Sequence, residues 1–188
     1  VKASAIGLEA EEYRHELVPG SGWTGMVNLD VPDEMISTLY EEGRVVDSIF
    51  DEIPVHAGLV LEGPRGTALA RRMPDASARL IPNDQEAFGI RGRSAEQRVA
   101  LDMLLDPQVG IVSMGGRAGT GKSALALCAG LEAVMERQLH KKVMVFRPLY
   151  AVGGQDLGYL PGDEGEKMAP WGQAVLDTLT SVTNNYVI

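Results

Sequence analysis

Eight consecutive residues, Gly116-Arg117-Ala118-Gly119-Thr120-Gly121-Lys122-Ser123, have the types and the spacing to hold a phosphate. They fit the pattern G-x-x-x-x-G-K-[ST] without a mismatch. A chance match in a chain of this length is on the order of one per cent at average residue frequencies. The glycines let the backbone turn tightly and bring its N–H groups round an anion. A helix starting at Ser123 would add its positive dipole end. Lys122 would then reach the β- and γ-phosphates as a point charge, and the Ser123 hydroxyl would ligate Mg²⁺. The expected ligand is ATP with Mg²⁺. The competing reading, a glycine-rich turn with an exposed Lys, explains neither the complete pattern nor its flanks.

Two other residues bear on that chemistry. Ser94-Ala95-Glu96-Gln97 reads as a capping box, so Gln97 can simply cap a helix. A Gln side chain also offers the donor and acceptor needed to read an adenine edge, and both roles stay open. Hydrolysis further requires an acid that holds Mg²⁺ and positions water, usually after an apolar strand. The only apolar run downstream that ends in an acid is Ala174-Val175-Leu176-Asp177, whose surroundings have helical spacing. Cys128 and Met135 lie on an Ala/Leu helix pattern and read as packing residues. The acids Glu41, Glu42, Asp47, Asp51 and Glu52 read as a solvated face rather than a metal site.

The elements around the loop suit it. Ser94 opens a helix over Ala95–Leu105 that stops before Asp106-Pro107. Residues 109–114 read as a buried strand, residues 123–138 as a long helix, and residues 142–146 as a second apolar strand halted by Arg147-Pro148. Strand, loop, helix, strand is a βαβ unit, which implies a parallel sheet. Upstream, residues 19–90 read as a small β-rich module. It has strands over residues 23–29, 55–61, 67–72 and 78–81, and a helix over residues 32–42 stopped by Gly43. Glu62-Gly63-Pro64-Arg65-Gly66 reads as a hairpin turn. The predicted organisation is residues 1–18 as the tail of an upstream domain, 19–90 as the connecting module and 91–188 as the first part of an α/β P-loop domain. A chain beginning at Val1 and containing only 65 residues after Ser123 is expected to be an interval of a longer protein.

Composition excludes several classes. One Cys makes no internal disulfide, and three His with one Cys are too few for a usual four-ligand zinc site. No apolar run reaches the roughly 18–20 residues of a membrane span, and no signal-peptide pattern opens the chain, so a cytoplasmic protein without membrane contact is expected. The net charge of −9 argues against whole-chain attraction to nucleic acid. The acidity is confined, however. Residues 1–90 carry 7 basic and 16 acidic groups, whereas residues 91–188 carry 10 of each, so the half with the loop is neutral.

Residues 143–148 (Val-Met-Val-Phe-Arg-Pro), Leu157-Gly158-Tyr159-Leu160-Pro161-Gly162-Asp163 and Glu166-Lys167-Met168-Ala169-Pro170-Trp171 carry a more specific signal. With residues 93–97 and the loop, they resemble the PhoH family of RNA-linked ATPases over residues 84–182. The L-G-Y-L-P-G-D string is not a general P-loop feature. Val1-Lys2-Ala3-Ser4-Ala5 and Glu11-Glu12-Tyr13 resemble the end of the PIN nuclease domain fused to PhoH in one branch. The resemblance implies a RecA-like core of the superfamily 1 helicase kind, truncated here. It further implies an ATPase coupled to RNA unwinding or processing in the full-length protein, RNA as partner, and assembly into a homo-oligomeric ring. On the helicase analogy Arg147 and Lys167 contact nucleic acid. On the plainer reading Arg147 pairs with Asp163 or Glu166, and Tyr159, Leu160 and Trp171 are core. The later Asp-Glu motif and arginine finger of the family are missing, which puts turnover by this chain alone in doubt. Two rivals share the loop: a small-molecule kinase and a non-catalytic, nucleotide-gated assembly module.

Overall fold

The computed structural model describes residues 22–146 together with Asp177 and Thr180. Its first part is a five-stranded sheet in the order β1-β3-β4-β5-β2. The strands are β1 (Met26–Asp30), β2 (Arg44–Val46), β3 (Gly58–Glu62), β4 (Thr67–Arg72) and β5 (Ser77–Leu80). Helix α1 (Asp33–Glu42) joins β1 to β2. β1 pairs with β3 in parallel, and the other pairings are antiparallel. A short hairpin follows, β6 (Glu86–Ala87) with β7 (Ile90–Arg91). Then come helix α2 (Ala95–Leu105) and helix α3 (Lys122–Leu131), which runs on into a π-helical turn (Glu132–Glu136). The chain is α/β, as its element pattern predicts.

Local chemistry explains most boundaries. α1 ends because Gly43 turns into the left-handed region (φ 73°), its N–H reaching the Leu39 carbonyl at 2.9 Å. The β3–β4 turn closes through Gly63 N–H to the Gly66 carbonyl at 2.8 Å. Asp33, at the start of α1, accepts from both the Arg65 backbone N–H (3.0 Å) and its guanidinium (2.8 Å), tying that turn to the helix. The predicted strand over residues 67–72 forms as read. β2 and the β6–β7 hairpin escaped the sequence reading because each is only two or three residues long.

Alternation along the strands sorts the core into two layers. Leu59, Leu61, Ala68 and Ala70 pack with Ile36, Leu39 and Phe50 on the α1 side. Leu69 and Val60 face the other way, with Ile81, against Val99 and Met103 of α2. The sheet is therefore covered on both faces, which is why β4 is buried from Ala68 to Arg72. Gly58 lies against Val99 of α2. A β-carbon there would stand 2.7 Å from Val99 Cγ2 and collide with Met26 as well.

α2 is buried on two sides. Its other face, Leu101 and Leu105, packs against Leu125, Cys128 and Ala129 of α3 and against Ala87 and Phe88 of the hairpin. Residues 91–105 thus lie directly on the β-rich module rather than beyond a free linker.

Two predicted strands are not formed among the described residues. Residues 109–114 and 142–146 join no ladder. Val143 lies over α3, within 3.2 Å of where a Gly130 β-carbon would be, while Ile111 and Phe146 are 90% and 85% exposed. An apolar run shows that a segment favours burial, but a strand also needs a neighbour to complete its hydrogen bonds. The long helix also departs from expectation. It starts at Lys122 and loses α geometry after Leu131, where the Arg137 N–H reaches back to the Glu132 carbonyl at 2.9 Å.

Candidate functional site

The phosphate-loop residues form an exposed turn immediately before α3. Gly116, Gly119 and Gly121 take φ values of 141°, 78° and 84°, a region in which side-chain-bearing residues are strained. Gly121 is the N-cap of α3 and carries no side chain to satisfy the helix's first N–H groups. The first helix N–H that finds a carbonyl is that of Leu125, donating to Gly121 at 2.9 Å. The opening turn thus presents main-chain donors and the positive end of the helix dipole. Ser123, the second helical residue, is exposed.

Lys122 folds back over this turn. Its ammonium donates to the carbonyls of Gly116 (3.0 Å) and Arg117 (2.6 Å) and to the Thr120 hydroxyl (3.2 Å). The Thr120 hydroxyl in turn donates to the Arg117 carbonyl at 2.9 Å. A cation with only neutral acceptors around it can exchange them for phosphate oxygens, whose negative charge adds Coulomb attraction to the hydrogen bonds. The loop residues therefore fit a nucleotide's phosphates: glycines at positive φ, main-chain donors at a helix start and a cation folded over the turn.

Gln97 does cap α2, and it also touches the loop. Ser94 accepts from the Gln97 N–H at 3.2 Å, while Gln97 Oε1 accepts from the N–H groups of Ser94 (3.3 Å) and Arg93 (2.7 Å). Gln97 Nε2 donates to the Thr120 carbonyl at 3.1 Å. Beside it, the Glu96 carboxylate is held below its usual range by its own backbone N–H and by the Ser94 hydroxyl.

A cleft of about 490 Å³ opens between the loop, α2 and the first residues of β1. Gly116, Lys122 and Gln97 are among its polar lining, and Met26, Val99 and Met103 among its apolar lining. Met26 belongs to the module, so the lining is not made by the loop domain alone. No sequence pattern had pointed to that contribution.

Other expectations fall as follows. Asp177 is helical and exposed. Arg147, Lys167 and the Leu157 to Asp163 string lie outside the described residues, as do residues 1–18. Cys128 is fully buried, which pushes its thiol up and makes it a packing residue. The Asp47 carboxylate caps the turn Ser48–Phe50 by accepting from the Ile49 N–H. Among the described residues no three His, Cys, Asp or Glu side chains converge to hold a metal, and no helix is long and apolar enough to cross a membrane.

A buried ionic cluster behind α2 was missed by the sequence reading. Arg71 of β4, 0% exposed, lies 2.8 Å from Asp102, itself 4% exposed, and is bonded to Asp106. Arg79 reaches Asp102 at 2.9 Å. Burial raises the Asp106 pKa, but hydrogen bonds from Arg71 and the Gln108 N–H and the charges of Arg71 and Arg79 outweigh it, leaving Asp106 below its usual range. His56 stands 3.5 Å from Arg71. Its pKa is pushed below 6.5 by burial and then by that guanidinium, against the pull of Asp106 and Asp102. A visible clue existed: Arg71 falls within the apolar strand β4, and Asp102 and Asp106 are four apart at the C-terminal end of α2, the second as its C-cap.

Comparison with known proteins gives the family. The family described as PhoH-like protein matches residues 89–187, more than half of the chain. The chain is similar over its whole length to Protein PhoH2 of Thermobispora bispora (61% identical) and of Mycolicibacterium smegmatis (58% identical), and spans 43% of the length of each. Protein PhoH2 of Bacillus subtilis is 33% identical over 98% of the chain, which again spans 43% of it. No solved structure matches the chain. With the glycine-rich turn at the head of α3 and the match running from the β6–β7 hairpin through the rest of the chain, this protein belongs to the PhoH family.

Proposed function

We propose that the chain binds ATP with Mg²⁺ on residues 116–123. We propose further that, in the whole protein, this binding drives an ATPase coupled to RNA unwinding or processing. The observation that carries the reading is the turn itself. Three glycines at positive φ precede a helix N-terminus, with Lys122 folded over the centre. Family membership supports the same reading. Lys122 would give up its carbonyl partners for β- and γ-phosphate oxygens, the backbone donors of the turn would hold the remaining oxygens, and the Ser123 hydroxyl would help hold Mg²⁺. The metal would neutralise charge on the phosphates during transfer. Turnover, RNA contact through Arg147 and Lys167, assembly into a homo-oligomeric ring and a cytoplasmic location are proposals about the whole protein, since the chain spans under half the length of the relatives it matches.

A titration with a fluorescent ATP analogue and Mg²⁺ tests the binding step. Lys122→Ala removes a charge-assisted contact and should weaken binding by about 10- to 100-fold. Binding unchanged by that substitution sinks the proposal. Phosphate release from the full-length protein, with and without RNA, tests the rest. Stimulation by RNA supports a motor, transfer to a small acceptor a kinase, and binding without release an assembly module.

A further inference from the structure

We infer that Gln97 is a positioning residue for the phosphate loop rather than a reader of the nucleobase. The inference rests on the proposed nucleotide site and assigns one residue's part in it. To read an adenine edge, a Gln must offer both an acceptor and a donor. The acceptor is taken, because the two lone-pair positions of Oε1 receive the N–H groups of Arg93 (2.7 Å) and Ser94 (3.3 Å). Turning the amide toward a base would break the cap of α2. The donor is directed at the loop, with Nε2 bonded to the Thr120 carbonyl at 3.1 Å.

Thr120 is a useful residue to hold. Its hydroxyl donates to the Arg117 carbonyl at 2.9 Å and accepts from Lys122 at 3.2 Å, so its placement bears on both flanks of the turn. The next residue, Gly121, is the left-handed N-cap of α3, and a β-carbon there would lie 3.4 Å from Gln97 Nε2. Gln97 thus packs against the peptide that leads into the helix. Its own backbone is fixed at the first turn of α2, a helix buried between the module and α3. The turn is anchored from outside through one carbonyl, which reduces the ordering needed when an anion binds.

The role predicts an effect on every ligand that carries the phosphates, whatever its base. Gln97→Met removes the amide at similar size, and Gln97→Glu keeps an acceptor for the capping box but loses the donor to Thr120. Binding of ATP, GTP and inorganic tripolyphosphate, each with Mg²⁺, is measured by calorimetry for the wild type and both variants, alongside thermal melting. The expected result for Gln97→Met is a loss of about 3- to 10-fold that is equal across the three ligands. Gln97→Glu should likewise weaken all three. A loss for ATP alone overturns the inference in favour of base reading. Unchanged affinities with a lowered melting temperature overturn it in favour of a cap only. Failure of the wild type to bind tripolyphosphate, with Lys122→Ala indifferent, overturns the phosphate reading itself and this inference with it.

Discussion

Replacing Arg71 with Met should cost about 3–5 kcal/mol of folding stability. The magnitude follows from what is left behind. Arg71 is 0% exposed, and its guanidinium serves Asp102, 4% exposed, and Asp106, 14% exposed. Without it, Asp102 retains Arg79 at 2.9 Å, while Asp106 keeps the Gln108 N–H at 3.0 Å but has no cation nearer than Arg79 at 3.9 Å, and Arg79 is itself 39% exposed. Two carboxylates then stay in a poorly hydrated layer with one half-solvated cation between them. For a chain of this size the change corresponds to a drop of about 6–20 °C in melting temperature. Urea denaturation of the wild type, Arg71→Met, Asp102→Leu and the double variant closes a double-mutant cycle. The double variant should recover most of the loss, because an apolar pair of similar volume can replace a buried ion pair at little net cost. Since the pair is shielded from solvent, raising the salt concentration should leave the difference between wild type and Arg71→Met nearly unchanged. A loss below about 1 kcal/mol for Arg71→Met, or strictly additive single effects, would refute the reasoning that this cluster bolts α2 to the sheet.

Three further outcomes are expected. His56 has a depressed pKa, so the folded state favours its neutral form. Its stabilising contribution is complete above the ordinary value of about 6.5 and shrinks as the pH falls through the window below it. Melting curves from pH 7.5 to 5.5 should slope downward and flatten in His56→Gln, and an unchanged slope would remove His56 as the cause. Gly58→Val should destabilise by about 1–3 kcal/mol, read by urea denaturation, because its side chain meets Val99 and Met26. Lys122→Ala should abolish most nucleotide binding without lowering the melting temperature, since the hydrogen bonds of the Lys122 ammonium stay within residues 116–120.

The sequence reading and the structure agree where the determinants are local. The capping box at Ser94 and Gln97, the left-handed stop at Gly43 and the glycines of the phosphate loop each act within a few residues. Their geometry is therefore written in short strings. Family-specific residues identified the relatedness for the same reason. Local pattern and structure part where one segment needs another to complete it. Residues 109–114 and 142–146 are apolar enough for strands, yet join no ladder among the described residues. β2 is too short to announce itself, and forms because β5 offers it an edge.

The amino-acid sequence by itself determined the Gly43 stop of α1, both ends of α2, the glycine-rich turn before α3 and the family, because backbone preferences and side-chain capping operate over one or two turns of chain. Only the tertiary structure decided that α2 is shared between two cores. It also decided that Gln97 reaches Thr120 across 23 residues and that Arg71 reaches Asp106 across 35. Such contacts depend on how packed layers bring distant segments together. Alternation along β4 puts Arg71 on the same face as Leu69, but the carboxylates that meet it there are supplied by the packing of α2.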